Sequence, residues 1–168
     1  MTAPVLTTRR LTLRPIVKAD ADQITRGLSN WDVVQWLSAV PFPYARQDAI
    51  YFITEVVPTT TTWAIDAGEG LIGVIGVKPD LGYWLNADFH GQHIMTEAAS
   101  AVVQWYFENA EDDLISGHFV DNAASRTILT RLGFTDSNIR DELRRSMQDT
   151  VKLQTMKLTK ATWTDRND

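Results

Sequence analysis

Between Trp63 and Leu85 the chain carries three β-rich runs parted by turns of a few residues, and this stretch constrains the fold most tightly. Trp63 to Ile65 and Leu71 to Val77 flank the glycine-bearing turn "DAGEG", which reads as a hairpin. The segment "KPD" then turns tightly into "LGYWL", so the three runs are expected to form an antiparallel meander. A loop, "DFHGQH", separates the meander from the best helical pattern in the chain. There Ile94, Met95, Ala98, Ala101, Val102, Trp105 and Tyr106 recur at three and four residues on one apolar face.

The flanking segments extend this mixed order. "RRLTLRPI" alternates Leu11 and Leu13 with Thr12 and Arg14 and predicts an opening strand that ends at Pro15. Asp20 is the expected N-cap of a helix carrying Ala21, Ile24 and Leu28, with Gly27 as its weak point. "NWDVVQWLSAV" predicts a short second helix stopped by "PFP", and "RQDAIYFITEVV" a third closed by Pro58. Towards the C-terminus come a strand in "DLISGHFV", a helix in "DNAASRTILTRLGF" with Asp121 or Asn122 as cap and Gly133 just past its end, and a closing strand in "TVKLQTMKL".

At 168 residues, with 44% hydrophobic and 22% charged residues, the chain is expected to form one domain over 1–168, without a linker or repeat. A net charge of −5 with no basic stripe argues against nonspecific nucleic-acid binding. The absence of cysteine excludes disulfides, thiolate metal sites and a cysteine nucleophile, and fits a reducing compartment. No stretch resembles an export signal or reaches the ~18 apolar residues of a membrane span, so a cytoplasmic protein is expected, with neither nucleic acid nor membrane as partner.

A helix start offers unpaired N–H groups and a positive partial charge that suit a phosphate, but the same connection also serves as a plain strand-to-helix loop. Two motifs together bear on that choice. "LGYWLNADFHGQHIMTEAA" is followed some 20 residues later by "FVDNAASRTILTRLGF", whose Asn122, Ser125, Arg126, Leu129, Leu132, Gly133 and Phe134 form the more specific pattern. With "TTRRLTLRPIVKADAD", "GLIGVIGVKP" and "KLTKATW", they resemble the GNAT superfamily of N-acetyltransferases, in the branch that includes the N-terminal-amine acetyltransferases of ribosomal proteins.

The resemblance implies an α+β fold whose mostly antiparallel, twisted sheet has two splayed middle strands, flanked by helices. The pantetheine arm of acetyl-CoA would take the missing strand's place, with the pyrophosphate on the loop before the central helix. That loop maps onto His90, Gly91, Gln92, His93, Ile94 and Met95, and His93 stands where the family has its main glycine. Two consequences compete. A Cβ at 93 crowds the phosphate or strains the backbone if φ is positive there, or the imidazoles of His90 and His93 donate to phosphate oxygens. Tolerance is the expected outcome, because the grip comes mainly from backbone amides.

Further roles follow from the resemblance. Thr96 adds a hydroxyl contact or is surface filler, and Glu97 is read as a first-turn carboxylate favouring the helix dipole. A backbone N–H among Tyr83, Trp84 and Leu85 holds the acetyl carbonyl. Ser125 serves as acid or as a capping hydroxyl, and Asn122 caps its helix and holds the cofactor arm. Asp80 stands where the family often has its base, in a place where a turn aspartate is also at home. Glu55, Asp66 and His118 are lesser candidates for the base. Trp31, Trp36, Phe42 and Tyr44 line one wall of an acceptor groove or belong to the core.

The function so implied is direct transfer of acetyl from acetyl-CoA to a primary amine, on a protein N-terminus or a small molecule, by a monomer or homodimer without metal. A catalytically silent acyl-CoA-binding module is the alternative.

Overall fold

The computed structural model describes residues 2–78 and 80–167. Two antiparallel sheets organise them. The first has the order β1-β2-β3-β4-β5, built from β1 (Leu6–Thr7), β2 (Thr12–Pro15), β3 (Thr62–Asp66), β4 (Leu71–Gly76) and β5 (Gly82–Leu85). The second has the order β6-β8-β7, from β6 (Leu114–Phe119), β7 (Thr135–Arg144) and β8 (Asp149–Leu158). One isolated parallel bridge, Leu81 to Ser116, joins them. The expected meander is β3-β4-β5; Pro79 of the "KPD" turn lies outside the described residues.

The two central strands of the first sheet, β3 and β4, are buried on both faces, which explains why they read as apolar runs with little polar alternation. Trp63, Ile65 and Ile75 pack with Val102 and Phe107 of α4 (Ile94–Asn109) in one core. Ala64 and Val74 face the opposite way, towards Ile24 and Val34 of α1 (Ala21–Leu28) and α2 (Trp31–Val34) and Ala49 of α3 (Arg46–Tyr51). Beyond Tyr51 the third helix widens into a π-type turn, Phe52–Val56, and a 3-10 turn, Val57–Thr59, that contains Pro58.

Several local expectations change. Asp20 does not cap α1 with its side chain: it lies in the turn before α1, buried, accepting from the Val17 N–H at 2.8 Å and from both terminal nitrogens of Arg14 at 2.8 and 3.0 Å. Asp66 is bound to the same arginine and to the N–H groups of Gly68 and Gly70. Burial pushes its carboxyl up, but these donors outweigh burial and hold it below the ordinary value. Its charge is committed to the β3-β4 turn, which removes it as a candidate base.

Three elements escaped the sequence pattern. β1 is only two residues long, and β7 is an edge strand whose side chains are mostly exposed, so neither carries an apolar period. β7 is held by its ladder to β8 and by the pairs Lys152–Asp141 and Arg144–Asp149. The last helix, α6 (Lys160–Asn167), buries Trp163, whose indole N–H donates to Gln104 of α4 at 2.9 Å.

Gly27 proves to be a point of contact. A Cβ there would stand 2.6 Å from Cζ3 of Trp84, so the glycine lets α1 approach β5. Gly27→Ala, a change worth about 1 kcal/mol of extra helix stability at an open site, is expected to lower the unfolding free energy in urea by about 1–3 kcal/mol through overpacking. A more stable variant would show that Trp84 is free to move.

Candidate functional site

A cleft of about 570 Å³ opens where the two sheets part. At its closed end the Leu81 N–H donates to Ile115 O at 2.8 Å, and the Ser116 hydroxyl returns a bond to Leu81 O at 2.8 Å. Beyond this point β5 and β6 share no further bridge among the described residues. Strand alternation then selects the free groups. The Asn86 N–H donates to Ile72 O, so Trp84, two residues earlier, also turns its N–H towards β4. Leu81, Tyr83 and Leu85 turn theirs into the gap. Of the three expected backbone donors, Tyr83 and Leu85 are therefore available and Trp84 is not; its ring lines the cleft and covers Gly27.

The floor continues into the loop before α4. Gly91 has φ +74°, and His93 has φ +59° and ψ +20°, the left-handed region that favours glycine. His93 thus adopts the glycine-like conformation and serves as the N-cap residue of α4, without a side-chain cap bond. Its carbonyl receives the first helical bond, from Glu97 N at 3.2 Å, which leaves the N–H groups of Ile94, Met95 and Thr96 without helical partners at the cleft wall.

The two imidazoles behave differently. His90 Nε2 lies 2.8 Å from Leu85 O; a carbonyl only accepts, so Nε2 carries the proton and braces the end of β5. His93 Nδ1 lies 3.4 Å from a terminal nitrogen of Arg131, on α5 (Ala123–Leu132), and accepts from it. Arg131 lines the cleft beside the loop and went unremarked in the sequence. Its signal was there: a basic residue two positions before Gly133, on the helix that packs against α4.

Gln92 is exposed, donates to Asp88 O at 3.2 Å and does not line the cleft. Thr96 does line it. Glu97 turns away, accepting from the Thr8 hydroxyl at 2.6 Å and from Arg10 N and Nε at 2.8 and 2.7 Å. Burial raises its carboxyl, but these bonds prevail and lower it. Glu97 fastens α4 to the β1-β2 turn.

At the cleft wall, Asn122 Oδ1 accepts from the Ser125 N–H at 3.2 Å and caps α5, while Gly133, φ +103°, ends it. The Ser125 hydroxyl is 2.8 Å from the Tyr83 hydroxyl. Burial pushes the Tyr83 phenol up to about 12, with the Ser125 bond acting the other way, so Tyr83 stays protonated at neutral pH. The phenol of Tyr83 is a second residue the sequence reading missed, since only its backbone was considered.

Asp32, Trp36, Leu37, Asp80, Arg140 and Glu142 also line the cleft, with Arg140 and Glu142 paired at 3.0 Å. The β7-β8 hairpin is tied to this wall, since Arg145 N donates to Ser38 O at 2.8 Å. Trp36 alone of the four expected aromatics lines the cleft: Trp31 packs on Phe42 with centroids 5.2 Å apart, and Tyr44 is buried in the second core. Glu55 is exposed and outside the cleft. His118 lines it.

The family model for the acetyltransferase (GNAT) domain matches residues 10–135, three quarters of the chain and nearly every cleft residue named above. The chain belongs to the GNAT acetyltransferase family. Solved structures with the same fold include a RimL ribosomal L7/L12 α-N-protein acetyltransferase in complex with coenzyme A, 17% identical over 93% of this chain and 98% of that one, with a TM-score of 0.80. The microcin C7 self-immunity acetyltransferase MccE, in complex with acetyl-CoA and AMP, is 18% identical over 90% and 93%, with a TM-score of 0.79. A GNAT-family acetyltransferase from Bacillus anthracis is 15% identical over 94% and 99%, with a TM-score of 0.80. No curated protein matches the sequence.

Within this GNAT domain the left-handed geometry at 93 makes a specific forecast. His93→Gly should leave the thermal midpoint unchanged or raise stability by about 1 kcal/mol, whereas His93→Val should lower it by about 1–2 kcal/mol, because a β-branched residue tolerates positive φ least. A glycine variant less stable than the unaltered protein would mean that the imidazole contact to Arg131 matters more than the backbone.

Proposed function

We infer that the protein transfers an acetyl group directly from acetyl-CoA to a primary amine, of a peptide N-terminus or a small molecule, in a reducing, cytoplasmic compartment. The observation that carries this reading is the convergence on one cleft of three separate devices. These are the free edge of β5, the unpaired amides of Ile94 to Thr96 behind His93, and the Tyr83–Ser125 hydroxyl pair. The residues fit the substrate: an extended arm matches a strand edge, and phosphates match helix amides with Arg131 beside them.

Acetyl-CoA supplies a thioester carbonyl that a neutral amine attacks; the C–N bond forms, the C–S bond breaks, and one proton passes on balance from amine to thiol. The N–H of Tyr83 or Leu85 stabilises the carbonyl oxygen as charge develops there. Within the Tyr83–Ser125 pair one hydroxyl donates to the other, and the second is left to donate to the departing sulfur. With the phenol near 12 and a thiol ordinarily near 8.5, the pair stabilises a thiolate by hydrogen bonding and is not itself ionised. Asp80, at the acceptor end, receives the amine's proton through water, and Asp32 adds attraction for a cationic acceptor.

Thiol release from acetyl-CoA should accompany acetylation when a panel of N-terminal peptides, amino acids, polyamines and aminoglycosides is offered. Acetyl-CoA binding with no turnover on any acceptor would instead identify a silent binding module. Ser125→Ala and Tyr83→Phe are each expected to lower kcat roughly 10- to 100-fold with little change in the KM for acetyl-CoA, and the double variant to lose less than the product. Equal small effects on both constants would reduce the pair to packing.

A further inference from the structure

His118 is 4% exposed, and its Nδ1 lies 2.8 Å from Phe119 O. A carbonyl only accepts, so Nδ1 carries the hydrogen, and in the neutral ring Nε2 is left with a bare lone pair. That nitrogen is buried and has no partner among the described residues, a state it shares only with the Ser146 hydroxyl in the β7-β8 turn. Buried acceptors are almost always bonded, so an orphan at the wall of a cleft signals a donor that arrives with a ligand.

Strand register says where the donor stands. Leu81 and Ser116 are bridged in parallel; two residues further along each strand, Tyr83 and His118 occupy equivalent places on the same face, just past the point where β5 and β6 separate. Both line the cleft. Tyr83 already shares its hydroxyl with Ser125 and leaves Nε2 unmet. Asp136 of β7 gives both oxygens to Arg126. A carboxylate could not donate to Nε2 in any case.

We propose that His118 Nε2 accepts a hydrogen bond from an amide N–H of the thioester arm lying between β5 and β6, so that His118 sets how deep the thioester sits beside the Tyr83 hydroxyl. This role rests on the acetyl-CoA reading. The arm suits it because it carries two amides, each with one N–H donor, along an extended chain. Tyr83 and Leu85 hold the arm from one side of the gap through their backbone, and His118 holds it from the other through a side chain.

The test compares acetyl-CoA with 3′,5′-ADP, which keeps phosphates but lacks the arm, by calorimetric titration of the full chain. His118→Asn keeps an amide donor near the Nδ1 position and removes the acceptor at Nε2; His118→Gln places an acceptor oxygen near Nε2. The Asn variant is expected to weaken acetyl-CoA binding roughly five- to tenfold with 3′,5′-ADP unchanged, and the Gln variant to recover most of the loss. Unchanged acetyl-CoA binding in the Asn variant, or an equal loss of both ligands, overturns the proposal. Failure of the unaltered protein to bind either ligand overturns the acetyl-CoA reading with it.

A second measurement needs no variant. The ¹⁵N resonance of His118 Nε2 in the unaltered protein should lie at the bare-nitrogen position when free and move towards the hydrogen-bonded position when coenzyme A is added. A resonance that stays in place while coenzyme A binds also overturns the proposal.

Discussion

The parallel bridge between Leu81 and Ser116 is the contact on which the rest of the site depends. One backbone and one side-chain bond to Leu81 hold the sheets together at one end, and with no second bridge among the described residues the strands diverge. Divergence leaves a row of unpaired strand-edge groups inside the protein, which is costly unless something pairs with them. The cleft is thus built by an interruption: the same alternation that spends the Trp84 N–H inside the first sheet leaves those of Tyr83 and Leu85 for a ligand. Neighbouring parts follow suit, since Gly27 brings α1 against Trp84 and His90 closes the strand end at Leu85.

The loop before α4 shows how backbone geometry can outlast a change of residue. His93 occupies the left-handed region at a modest cost and keeps the amides of Ile94 to Thr96 facing the cleft. Its ring leans towards Arg131, so the added side chain brings a cation to the loop's flank and does not fill the loop. Glu97, a first-turn carboxylate that would repel a phosphate if it faced the site, is drawn instead to Thr8 and Arg10. The GNAT resemblance placed a glycine at 93, and the structure meets the same conformational demand with histidine.

Much of this was legible in the chain where residues carry a period. The meander, α4 and α5 with its Asn122 cap and Gly133 end all announce themselves by spacing and by terminal residues, whereas the pairing of the two motifs came from the GNAT resemblance. What escaped did so for identifiable reasons. β7 is an edge strand open to solvent and needs no apolar alternation. Asp20 looks like a cap in sequence, but Arg14 is brought to it only by the fold. The Tyr83 hydroxyl, the lone pair of His118 and Arg131 acquire meaning from partners 35 or more residues away, or from lacking them, which no local pattern encodes.

The central claim is that the gap between β5 and β6 receives the arm of an acyl-CoA while the start of α4 holds its phosphates. Backbone amide resonances recorded during titration with coenzyme A test this most directly. The account predicts that Tyr83, Leu85 and Ile94 to Thr96 shift most and gain protection from hydrogen exchange, with Trp84, already paired within the sheet, moving little. Tight binding of coenzyme A that leaves those amides unmoved, with the largest shifts elsewhere on the protein, would contradict it.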